Sequence, residues 1–87
     1  MNRREQMAFE LKEFERILLE AGLNEELSKV AILNIPTALR NDTKCELARL
    51  GYAKAIAIIK EAVAEIEAGA TDKIDKLVKK RLLKRDN

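Results

Sequence analysis

Histidine does not occur among the 87 residues, which removes both the commonest general base and the commonest metal ligand. The single cysteine, Cys45, has no histidine to form a thiolate pair and no second cysteine for a redox motif or a disulfide. It is expected as a small buried residue near a helix start. One cysteine and no apolar leader of secretory type point to a reducing, cytoplasmic setting. The three glycines, scattered at 22, 51 and 69, cannot form a phosphate-cradling loop. Tryptophan is absent, and no apolar run approaches the roughly 20 residues that cross a bilayer. Even Ala55 to Ile59 is bracketed by Lys54 and Lys60. Catalysis, cofactor binding and membrane insertion are therefore not expected.

What the chain does have is one strongly apolar stretch, Thr43 to Ala68. Thr43 and Glu46 are spaced as a capping box, and Gly69 stands where a left-handed residue closes a helix. Ala48, Tyr52, Ala55, Ile56, Ile59, Ala62, Val63 and Ile66 recur at helical spacing. Leu47, Leu50, Gly51, Ala57 and Ile58 widen that stripe past one face, so cover on more than one side is expected. Gly51, with Ala48 and Ala55, would let a second helix approach closely. A continuous helix of about 25 residues spans roughly 37 Å. A compact chain of this length has a radius of gyration of about 12 Å, so the pattern implies an elongated fold or a second chain covering part of it.

The other segments read as amphipathic partners. Asn2 with Glu5 can cap a first helix that runs to about Ala21, with Met7, Leu11, Phe14, Leu18 and Ala21 facing inward, Ile17 beside them, and Gly22 as its stop. Asn24 caps a short second helix, from Glu25 to about Leu33, with Leu27, Val30, Ala31 and Leu33 expected inward. Pro36 pushes its predecessor out of the α region, and one further turn before Asn41 and Asp42 is an option. Thr71 caps a last helix that has Asp72 in its first turn and Ile74, Leu77, Val78 and Leu82 on its inner face. The chain forms a single domain, 1–87. The fold class expected is all-α, a small four-helix bundle in long-short-long-short order. Its long third helix is central, and oligomerisation completes it.

Charge is distributed unevenly. The net value is +2, but residues 1–43 sum to −2 and residues 44–87 to +4. Six cations, Lys76, Lys79, Lys80, Arg81, Lys84 and Arg85, crowd the last helix and form a candidate phosphate-contacting patch. Cations also favour a helix C-terminus through its dipole, and no aromatic residue is interleaved to stack on bases, so a solvated helix end is the preferred interpretation. Glu61 and Glu65 share a helix face but lack the Glu-x-x-His partners of carboxylate metal bundles. Residues 46–56 superficially resemble a helix-turn-helix. Gly51, however, follows Ala48 by three positions rather than four, and no serine or threonine starts a recognition helix, so an uninterrupted helix is expected.

These features support a non-enzymatic protein-interaction or regulatory module that self-associates, most simply as a dimer. Its candidate interface is the apolar set that short helices cannot all bury: Phe9, Leu19, Leu47, Leu50, Ile58 and Leu83. A different protein partner is the variant of this expectation, and nucleic-acid binding by the last helix is its competitor. In size and style the chain resembles small accessory proteins of bacteria and their mobile elements, a likeness carried by no particular residue.

Overall fold

Gly51 has a backbone φ of +89°, and the long helix expected over 43–68 stops and restarts there. A computed structural model of the chain describes residues 2–22, 24–34 and 38–85, with the main chain alone at Arg85. These residues form five helices: α1 (Arg3–Ala21), α2 (Glu25–Asn34), α3 (Asn41–Leu50), α4 (Tyr52–Glu67) and α5 (Ile74–Arg85). Among the described residues there is no strand, and no helix is long and apolar enough to cross a membrane. The all-α class holds; the count of four helices and the continuous third helix do not. The turn region around Pro36 lies outside the described residues.

Three devices set the helix ends. Asn2 caps α1 by accepting the Glu5 N–H at 2.8 Å, and Gly22, at φ +67°, stops it. Asn24 caps α2 through the Leu27 N–H at 3.0 Å. The starts of α3 and α4 differ, because neither cap residue, Arg40 or Gly51, supplies a side-chain acceptor. Acceptors come from elsewhere in the chain. Asp75, at the start of α5, accepts the Arg40 N–H at 2.9 Å and the Thr43 hydroxyl at 2.7 Å. Glu25, at the start of α2, accepts the Tyr52 N–H at 2.9 Å. Thr43 is thus not the cap. It is a fully buried residue inside α3, and its hydroxyl is held by a carboxylate 32 positions away. α5 likewise begins at Ile74, past Thr71, with Asp75 as its first-turn acid in place of Asp72.

α4 is the central element, packed chiefly on α1 and then on α5 and α3. The break at Gly51 turns α3 away from the α4 axis so that it packs on α2 and α5 as well. The core joins Leu11, Phe14 and Leu18 of α1 to Ile58, Ile59 and Ile66 of α4 and to Ile74, Leu77 and Val78 of α5. At 1.5 Å per residue, α4 spans only about 24 Å, inside a molecule whose longest dimension is 34 Å. The radius of gyration is 11.9 Å, so the length argument for an elongated fold or a covering chain no longer applies.

Burial corrects the expected interface. Leu47 and Ile58 are fully buried in the chain's own core, and Leu50 is half-buried against it. The break explains this: α3 and α4 each orient independently, so residues that lay off a single straight stripe can both point inward. Phe9, Leu19 and Leu83 remain exposed. Cys45 is exposed as well, because α3 turns Thr43, Lys44, Leu47 and Ala48 inward and Cys45 lies on the other side.

Candidate interaction surfaces

α2 buries only Ser28 and Ile32. At 100° per residue those two side chains define the inner face, and Val30 points directly away from it, flanked by Leu27 and Leu33. These three are 56%, 56% and 48% exposed. The expectation that Leu27, Val30 and Leu33 face inward is therefore reversed, and only Ala31 is partly covered. Ser28 can sit inside because its hydroxyl reaches the Gly22 carbonyl at 3.4 Å, and Glu25, held by Tyr52, fixes the rotation of the helix start. One sequence signal was available. Leu27, Val30, Ala31, Ile32 and Leu33 surround the whole circumference of α2, and a helix apolar all round needs cover on all sides. Next to this face, Leu33 and Lys29 share a shallow groove of about 260 Å³ with Cys45, Ala48 and Arg49 of α3.

The second surface is electropositive. An open groove of about 620 Å³ lies between the start of α1, residues 38–40 and the first half of α5. Arg3, Arg40, Lys73, Lys76 and Lys79 line it, over a floor that includes Met7 and Ile74, with Glu10 and Asp75 as its carboxylates. Asp75 is committed to α3, as described. Lys79 sits 3.3 Å from Asp42 and 4.0 Å from Asp75, and Arg40 Nε lies 3.9 Å from Asp42. The hydrogen bond from Lys79 holds the Asp42 carboxyl below the usual carboxylate range, helped by the Thr43 N–H and the charges of Lys79 and Arg40, against a partial loss of solvation.

The six-cation patch does not act as one set. Arg81 leans back onto α4, paired with Glu65, and its Nε is 3.9 Å from Glu61. Half-buried between two carboxylates, it is part of the α4–α5 contact. Lys79 is occupied by Asp42. Lys76, Lys80 and Lys84 are exposed, and the side chain of Arg85 lies outside the described residues. The Arg81 contact also settles how Glu61 and Glu65 are used: they hold α5. Among the described residues, no group of three or more potential metal ligands comes together. Sequence reasoning missed Arg3, Arg40 and Lys73, which reach the groove from three separate segments. Compared with family models, curated proteins and solved structures, the chain matches none, so its own surfaces must carry the functional reading.

Proposed function

We propose that this protein is a non-enzymatic helical interaction module that self-associates as a dimer through the outer face of α2. The observation that carries this reading is the inversion of that helix, which buries a serine while Leu27, Val30 and Leu33 face solvent. Each exposed apolar Å² removed from water contributes about 25 cal/mol, and a contiguous apolar patch on a small chain marks an interaction site.

The patch is complementary to itself. Its residues are spaced symmetrically about Val30, so an antiparallel pair of α2 helices with a two-fold axis at Val30 sets Leu27 against Leu33 of the second copy. The same axis brings Glu26, an acceptor, opposite Asn34, whose amide has an N–H beyond the one given to the Val30 carbonyl. The exposed Cys45 extends the surface across the adjoining groove. Phe9, Leu19 and Leu83 are exposed on other elements and belong to the rim or to none of it. The lack of histidine and the use of Glu61 and Glu65 by Arg81 support the non-enzymatic half of the reading.

Light scattering over a concentration series tests it. The wild-type chain should approach twice the mass of 9.9 kDa, and Val30→Glu should remain monomeric with unchanged helical circular dichroism. A wild-type chain that stays monomeric at all concentrations rejects self-association. A dimer untouched by Val30→Glu rejects α2 as the interface.

A further inference from the structure

We propose that the basic groove and the lysine row that continues from it along α5 form a binding track for the phosphate backbone of nucleic acid, indifferent to base sequence. Charge is the first argument. The large groove and the shallow one beside it, around Asp72, Lys80, Leu83 and Lys84, share Lys76 and Lys79 and together are lined by seven cations and three carboxylates, a net of +4. The whole chain is +2, so everything outside this surface sums to −2. Even with Asp42, which sits against Lys79 and Arg40, counted in, the surface keeps a net of +3, so positive charge is concentrated here.

Availability is the second argument. Lys79 and Arg40 face Asp42, and Arg81 faces Glu65. Lys76, Lys80 and Lys84 have no ion pair of 4.0 Å or less among the described residues, and all three are exposed. Lysines held by carboxylates shape the surface, and the others are left to meet an external anion.

Geometry gives the class of anion. Lys76, Lys80 and Lys84 follow one another at four-residue steps, which places them in a row on one face of α5. At 1.5 Å per residue the row is about 12 Å long, a length of duplex axis that carries about seven phosphates. A small phosphate compound would meet one or two of these lysines and leave the others idle. An acidic protein segment would need an accessible apolar anchor at the centre of the contact, but Met7 and Ile74 on the floor of the large groove are buried and Leu83 lies at the edge of the row. With no aromatic residue lining either groove, stacking and base readout have no platform, so the contact is electrostatic. This surface is separate from the α2 face, and binding does not require the dimer.

The test is fluorescence anisotropy with a labelled DNA duplex and its single strand over a salt series. Binding should fall steeply as salt rises. Replacing Lys73, Lys76, Lys80 and Lys84 together with glutamine should flatten the duplex slope, log Kobs against log salt, by roughly 3 to 4. The control is Lys54→Gln with Lys60→Gln, two exposed lysines on α4, which should leave the slope unchanged. Three results overturn the proposal: no binding at low salt, an equal loss in the control per charge removed, or capture by anionic vesicles or polyglutamate at salt concentrations where the duplex is not bound. Light scattering of the same variants keeps the two proposals apart, since the lysine substitutions leave the α2 face intact.

Discussion

The carboxylate of Glu25 accepts the backbone N–H of Tyr52 at 2.9 Å, so the first residue of α2 caps the first turn of α4. Free N–H groups at a helix start must find an acceptor, and here it is 27 positions away in sequence. Gly51 makes the approach possible: a Cβ at this position would lie 3.0 Å from Glu25 Oε2, on a backbone with φ +89°.

Glu25→Ala should therefore destabilise the fold by about 1 kcal/mol, the usual cost of a lost cap. Gly51→Ala should cost more, about 1–3 kcal/mol, because strain adds to the clash. The double variant should cost less than the sum, since removing the carboxylate relieves the clash. Urea midpoints at unchanged m-value measure all three, and strict additivity would separate Gly51 from Glu25.

Asp75 ties α5 to the start of α3 through the Arg40 N–H and the Thr43 hydroxyl. Asp75→Ala leaves two donors without their acceptor and should cost roughly 1–3 kcal/mol. Thr43→Val removes one donor and should cost less. The order of the two melting temperatures decides the point: Thr43→Val melting lower than Asp75→Ala would contradict it.

Acidification should expose the Asp42–Lys79 contact. The Asp42 carboxyl is held below its ordinary range, chiefly by the Lys79 hydrogen bond. A carboxylate depressed in the folded state stabilises the fold above the unfolded-state pKa, and loses that contribution as pH falls through the folded one. Lys79→Ala should flatten the acid limb of a stability–pH curve, with a small loss of stability at neutral pH that disappears below the folded-state pKa, where the two proteins converge. An acid limb of the same steepness in both proteins would assign the effect to other groups.

Leu47→Ala and Ile58→Ala should each cost about 2–5 kcal/mol, as expected where a buried side chain leaves a cavity. Phe9→Ala and Leu83→Ala should stay within about 0.5 kcal/mol of wild type. Chemical denaturation at a fixed protein concentration separates the two pairs, and a mild effect at Ile58 would contradict its burial.

Cys45 offers an independent probe of the α2 face, because it lines a groove with Leu33. Its alkylation by a bulky maleimide should slow as protein concentration rises, and Val30→Glu should abolish that dependence. A rate independent of concentration in the wild type would place any dimer contact elsewhere.

The elements that could be read from the chain are those whose determinants are close neighbours in sequence. α1 lies between Asn2 and Gly22 as its cap, its stripe and its glycine dictate, and the inner face of α5 is the one its spacing indicates. Thr43 and Glu46 have the spacing of a capping box, but Asp75 competes for the threonine hydroxyl and moves the helix start back to Asn41. Gly51 sits in a stretch of good helix formers, and the acceptor that satisfies the restarted helix, Glu25, is distant in sequence. The orientation of α2 escaped for the same reason: its apolar residues point every way, and the Glu25 bond selects which of them is covered. On the surface, the lysine row could be read from residue spacing, whereas the pairing of Arg81 with Glu65 depended on how α5 folds back on α4.

The bond from Glu25 to Tyr52 also couples two events that sequence separates. The Tyr52 amide exchanges with solvent deuterium when the Glu25 carboxylate lets go, so its protection reports how firmly the start of α2 is held against α4. Whatever clamps α2 in place should slow that single exchange rate, and whatever pulls α2 away should speed it. One amide, read by hydrogen exchange, thus becomes a gauge of occupancy on the opposite side of the same helix.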